Sequence, residues 1–162
     1  MPGRATYVYW DSCVFISHLE GDPARLAGIE AVLRAVLCSQ GQCKVTTSAL
    51  TLVEAAFAAR ERARSRLDPK VEAALDAYWR QTATFEIIEF SQQVATSARK
   101  LMRSCLDRGI SILKPPDAIH LASAQYVGAT EFHTYDKHLF GYANLTRLEI
   151  RAPDAHALPF DA

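Results

Sequence analysis

The sequence has no surplus of charge of either sign: 18 Lys and Arg balance 18 Asp and Glu over 162 residues. A long-range field therefore recruits no partner, and any polyanion site must be local. No apolar run approaches the ~20 residues of a membrane span. The start, Met1-Pro2-Gly3-Arg4, has no apolar signal-peptide core. We expect a cytosolic protein without a membrane partner. Cysteine is sparse. Cys13, Cys38, Cys43 and Cys105 fit no zinc spacing, and Cys38/Cys43 lacks a matching Cys or His pair. Four free thiols follow for a reducing compartment. There is no internal repeat, low-complexity tract or long linker.

What is present suits one soluble domain around one core: 49% apolar and 22% charged residues. The most informative stretch is Val8-Tyr9-Trp10-Asp11-Ser12. Thr6 to Trp10 is β-branched and aromatic, as in a buried strand. Asp11 follows at once, before the apolar helical positions Val14, Phe15 and Leu19. A carboxylate there is either a helix cap or the start of a crevice site in an open α/β sheet.

Along the chain, Gly21-Asp22-Pro23 is a break, and Leu26, Ile29, Leu33, Val36 and Leu37 recur at helical spacing. Lys44 to Thr47 reads as a second strand. Ser48 can cap a following helix with Leu50, Val53 and Phe57 as its core stripe. Arg60, Arg62, Arg64 and Arg66 crowd the far end of that helix. They are spread around it, since residues two apart share no face. They either compensate the helix dipole or meet a nucleic-acid backbone. Pro69 opens a helix with Leu75, Tyr78 and Trp79. Phe85 to Phe90 is a third strand, and Ser91 caps a long helix ending at Gly109. Asp117 to Val127 is a helix of small residues. Thr130 to Thr134 and Thr146 to Ile150 are the last strands, and Arg151 to Ala162 is a loosely attached tail. Strands alternating with helices predict a three-layer α/β/α sandwich on a central, mainly parallel five-stranded sheet.

Four acids stand near the carboxyl ends of those strands: Asp11, Glu54, Asp117 and Asp136. Each has a plain alternative. Asp11 and Asp117 can be caps, Glu54 a surface residue and Asp136 a turn former. Glu54 lies about 9 Å along a helix from Ser48, so it reaches the others only if that helix leans over the sheet. Converging carboxylates repel one another unless a cation sits between them, and a hard divalent ion, Mg²⁺ or Mn²⁺, prefers such oxygen ligands.

The chain resembles the PIN-domain family, and within it the VapC-like toxins of toxin–antitoxin pairs. Asp11-Ser12-Cys13-Val14-Phe15-Ile16 is similar to the family's opening motif. Ser48-Ala49-Leu50-Thr51-Leu52-Val53-Glu54 is similar to its Ser-x-x-Thr-x-x-Glu motif. Pro116-Asp117-Ala118-Ile119-His120-Leu121-Ala122-Ser123-Ala124 resembles the third motif over its whole length. Phe132-His133-Thr134-Tyr135-Asp136 resembles the fourth. These matches span residues 7–140 in the family's order. Cys13 departs from a usual Asn or Val, and Trp10 from a smaller apolar residue, which puts the floor of the pocket in question.

The resemblance implies a nuclease domain over 1–150, with 151–162 as a tail. It implies a metal-dependent endoribonuclease that leaves 5′-phosphate and 3′-hydroxyl ends. Asp11, Glu54, Asp117 and Asp136 would hold Mg²⁺ or Mn²⁺, with Ser12 and Thr134 orienting the carboxylates. It also implies inhibition by a small cognate antitoxin, and a homodimer. His120 is left as a packed or supporting histidine. The rival readings are an inactive PIN-like module that binds RNA or protein, and a phosphotransfer domain or phosphatase. A haloacid-dehalogenase-type site would need a second Asp two residues after Asp11, where Cys13 stands.

Overall fold

A computed structural model describes residues 5–154. Five strands form one sheet: β1 (Thr6–Trp10), β2 (Cys43–Ser48), β3 (Phe85–Ile88), β4 (Glu131–His133) and β5 (Glu149–Arg151). Their order is β3-β2-β1-β4-β5, and every pairing is parallel. The predicted sandwich is therefore found, with an all-parallel sheet. The chain winds outward from β1 through β2 to β3, then returns to lay β4 on the other side of β1. That reversal opens a crevice between the carboxyl ends of β1 and β4.

Alternation along β1 sorts the two faces of the sheet. Val8 and Trp10 join Val14 and Phe15 of α1 (Ser12–Glu20), Ile29, Val32 and Val36 of α2 (Leu26–Cys38), and Phe85. Tyr9 and Phe132 join the opposite cluster. Most of its helical members come from α6 (Gln92–Asp107) and α7 (Pro115–Val127). Trp10 is fully buried, edge-on to Phe15 and Phe85. It packs beneath α1, so it reshapes no pocket floor; Tyr9 takes the face that reaches the candidate site.

The helix after β2 differs from expectation. α3 (Leu50–Glu54) has five residues, and a second short helix, α4 (Ala59–Arg64), begins after a break. Val53 is 73% exposed and Phe57 44%, so the predicted core stripe is absent; Thr51, Ala55 and Ala58 are buried instead. The break has a local cause and a tertiary one. Ala58 N–H donates to Glu61 Oε2 at 3.0 Å, and Ala59 N–H donates to Glu20 Oε1 of α1 at 2.7 Å. Glu61, buried, reaches back to start a new helix from a residue with no capping side chain of its own. The four arginines therefore sit on and just beyond α4.

Elsewhere the elements follow their local signals. Asp68 caps α5 (Pro69–Arg80) and Ser91 caps α6 through their side chains. α7 opens two residues earlier than predicted, at Pro115, because a first-turn proline lacks only an N–H that would be unpaired anyway. Thr146 closes a short helix, α8 (Ala143–Thr146), rather than opening β5. Arg151, read as tail, is in β5, and its carbonyl accepts from Thr134 N–H at 2.9 Å. Gly28, inside α2, lets the chain pass closely: a Cβ there would lie 2.5 Å from the Pro153 carbonyl oxygen. The remainder of the tail, residues 155–162, and the start, residues 1–4, lie outside the described residues. All four cysteines are free. Among the described residues no helix is long and apolar enough to cross a membrane.

Candidate metal and active site

Asp11 stands where β1 ends. Its N–H donates to the His133 carbonyl of β4 at 3.0 Å, and Oδ1 accepts from Ser12 N–H at 2.7 Å, which caps α1. The cap and the crevice position are one residue. Thr134 Oγ1 donates to Oδ2 at 2.8 Å, and Ser12 Oγ lies 3.3 Å from Oδ1. Cys13 Sγ lies 3.4 Å from both Asp11 Oδ2 and Thr134 Oγ1, and accepts from Tyr135 N–H at 3.3 Å. Burial, then the Asp11 charge, pushes the Cys13 thiol up to about 12. It stays protonated and acts as a donor to Asp11. Its role is a bond as well as bulk.

Glu54 closes α3, and its side chain does come close to Asp11 and His120. Its Oε2 is 2.6 Å from Nε2 of His120 in α7, and the same nitrogen is 3.7 Å from Asp11 Oδ1. Burial works against ionising Glu54, but the hydrogen bond and charge of His120 outweigh it and lower its pKa. Burial likewise disfavours the imidazolium, yet the Glu54 hydrogen bond and the charges of Asp11, Glu54 and Asp117 raise the pKa of His120. An ionised carboxylate only accepts, so the proton in the 2.6 Å bond is on Nε2. On the other ring edge, Nδ1 is 2.8 Å from the Tyr9 hydroxyl, which accepts from Ser48 N–H at 2.9 Å.

Asp117, half-buried in the first turn of α7, is pushed up by burial and by the charges of Asp11 and Asp136, against the pull of His120 and Lys114. Asp136 is exposed after β4; its Oδ1 accepts from His138 N–H at 2.9 Å, and its own N–H donates to Thr134 Oγ1 at 3.0 Å. One ligand atom each from Asp11, Glu54 and His120 lie within 4.8 Å of one another. Asp117 and Asp136 are outside that group. Asp117 interacts electrostatically with Asp11 and His120 of the group, and with Asp136.

Two converging carboxylates, beside a third carboxyl under repulsion, form an oxygen donor set that fits a hard divalent cation, while the protonated Nε2 of His120 holds Glu54.

The sequence pattern of the PIN domain matches residues 8–145. The chain belongs to the PIN-domain family. A comparison with curated proteins finds no match. Solved structures do match. VapBC2 from Rickettsia felis, bound to a DNA fragment from their promoter, aligns at TM-score 0.69 and 15% identity over 92% of this chain and 100% of that one. VapBC-1 from nontypeable Haemophilus influenzae aligns at 0.61 and 15%, over 91% and 98%. FitAcB from Neisseria gonorrhoeae aligns at 0.58 and 20%, over 90% and 97%. At these identities the likeness is one of fold.

Of the residues around this PIN domain's site, Tyr9 escaped the sequence reading, and His120, expected as a packed or supporting histidine, is buried and bonded to Glu54. His120 had a signal: it is three residues after Asp117, so both share one helix face. Tyr9 had one too, since it alternates with the buried Trp10 and must face α7. The arginines are not equivalent. Arg60 pairs with Asp68 at 3.3 Å, and the Arg62 guanidinium lies 5.9 Å from the centre of the Phe57 ring. Arg60, Arg64 and Arg66 line a cleft of about 280 Å³ with Leu67 and Pro69.

Proposed function

We propose that this protein is a divalent-metal-dependent endoribonuclease of the VapC-like toxin kind, cytosolic and held inactive by a small cognate antitoxin. The observation that carries the reading is the convergence of Asp11 and Glu54, within reach of one ion, at the switch point of a PIN-domain sheet. The solved structures with the same fold include toxin–antitoxin complexes, which supports the partner. Asp11, Glu54, Asp117 and Asp136 are the residues that would hold Mg²⁺ or Mn²⁺, with His120 bonded through Nε2–H to Glu54. When bound, such a cation supplies charge neutralisation at the scissile phosphate and activation of water.

The chain's own groups prepare that chemistry. Ser12, Cys13 and Thr134 fix the Asp11 carboxylate by hydrogen bonds. Asp117 and Asp136 add negative charge that favours a cation over an anion in the crevice. The guanidinium groups around α4 can take up the RNA backbone. A homodimer is consistent with the reading.

One contact favours an inactive binding module instead: His120 supplies a cationic partner to Glu54, so the acids are partly neutralised without metal. Incubating partner-free protein with single-stranded RNA and Mn²⁺ separates the two. Discrete cleavage lost in Asp11→Asn supports the nuclease; intact RNA retained on the protein supports the module.

A further inference from the structure

We propose that Tyr9 and His120 are positioning residues for Glu54. A hydrogen-bonded chain running from Ser48 through Tyr9 and His120 fixes where the Glu54 carboxylate stands. What Glu54 does there rests on the metal-dependent reading above; the clamp itself rests on geometry.

Glu54 needs such a clamp because its own helix cannot supply one. α3 has five residues, far below the length at which a helix holds itself. Leu52 is 40% exposed and Val53 73%; the buried Thr51, bonded to Thr47 Oγ1 at 2.7 Å, and the buried Ala55 hold the α3 backbone but leave the long Glu54 side chain to be placed by other partners. The chain then breaks before α4. The fixed points are elsewhere. His120 is 2% exposed on α7, and its Nε2–H donates to Glu54 Oε2 at 2.6 Å. Tyr9 is fully buried and stacked on Phe132, with ring centroids 5.0 Å apart and 12° between planes. Its hydroxyl holds His120 Nδ1 at 2.8 Å, so the imidazole cannot rotate about its ring axis without losing that bond. The same hydroxyl accepts from Ser48 N–H, at the end of β2 and two residues before α3 begins. The bonds therefore close a ring: β2 end, β1, α7, and back to the last residue of α3. An oxygen ligand at a metal site depends on such outer partners, and losing one costs about 10–100-fold in metal affinity.

The test combines metal binding with a readout on the metal-free protein. Tyr9→Phe keeps the ring and its stacking on Phe132 but removes the hydroxyl. His120→Leu removes the donor at similar volume, and His120→Gln restores an amide that can bridge the same two groups. By calorimetry with Mn²⁺, Tyr9→Phe should weaken binding about tenfold. Its added cost should be smaller in the His120→Leu background, because Tyr9 reaches Glu54 through His120 and its remaining bond is to Ser48 N–H. His120→Gln should recover part of the loss. In metal-free protein, NMR should find a downfield, slowly exchanging imidazole Nε2 proton. That signal should move upfield or vanish in Glu54→Ala and shift in Tyr9→Phe. If His120→Leu fails to fold, Tyr9→Phe and His120→Gln still decide the matter. Mn²⁺ binding in Tyr9→Phe as tight as in wild type, or an imidazole signal indifferent to Glu54→Ala, overturns the clamp. Wild-type protein that binds no Mn²⁺ overturns the metal reading instead, and the NMR result still judges the clamp.

Discussion

Thr134 donates its hydroxyl proton to Asp11 Oδ2 at 2.8 Å, and so joins the carboxyl ends of β4 and β1 across the crevice they create. Both residues are buried. The same hydroxyl oxygen accepts from Asp136 N–H at 3.0 Å, which sets the turn carrying Asp136. One threonine thus orients one acid by its side chain and another by its backbone.

Thr134→Val should therefore destabilise the protein by about 1.5–3 kcal/mol, the usual worth of a hydrogen bond to a charged group. Thr134→Ser should recover most of it. Urea unfolding measures both. Equal stability of Thr134→Val and wild type would mean that the hydroxyl does not hold Asp11.

Asp117→Asn should raise the melting temperature in EDTA and shrink the gain on adding Mn²⁺. The sign follows from the raised pKa of Asp117: its charged form is disfavoured in the fold by burial and by Asp11 and Asp136, so above its unfolded pKa the ionised group costs stability. Asp136→Asn should do less, because Asp136 is exposed and Asn keeps its acceptor for His138 N–H. Thermal melts with and without metal decide it; a lower melting temperature for Asp117→Asn in EDTA contradicts the repulsion.

The His120–Glu54 pair makes the metal-free fold pH-dependent. A raised histidine pKa gives stability that is complete below the unfolded value of 6.5 and lost as pH rises through the folded value. A lowered glutamate pKa gives stability present above 4.5 and lost as pH falls through the folded value. The difference in unfolding free energy between wild type and His120→Gln, measured in EDTA, should therefore be greatest between about pH 4.5 and 6.5 and decline above it. A difference that grows steadily into the alkaline range contradicts the pairing.

Replacing Arg62, Arg64 and Arg66 with Ala should weaken RNA binding and flatten its salt dependence. The slope of log affinity against log salt should fall by about 0.7 for each single-strand phosphate that is no longer neutralised. Arg60→Ala should do less, because Arg60 pairs with Asp68. An unchanged slope assigns the arginines to a solvated face.

The sheet was legible because β1 announces itself with Thr6 to Trp10 and an acid directly after, and because helices separate every pair of strands. The positions of Asp11 and Asp136 follow from that alternation alone. The break between α3 and α4 was not legible. Ala55, Ala56 and Ala58 favour a continuous helix, and a local bond from Glu61 together with a long-range one from Glu20 overrides them. The misread stripe of Val53 and Phe57, and the misplaced arginines, follow from that one break. His120 was legible as a packed or supporting histidine, but its partner was not, because Glu54 lies 66 residues away in sequence.

Whether these acids act through a divalent cation on RNA is tested most directly by cleavage of a single-stranded RNA by partner-free protein in EDTA, then again after excess Mn²⁺ or Mg²⁺ is restored. No product in EDTA, product with 5′-phosphate ends on restoring the metal, and none from Asp11→Asn at any metal concentration is the predicted result. Cleavage that persists in EDTA, or that survives Asp11→Asn, contradicts it.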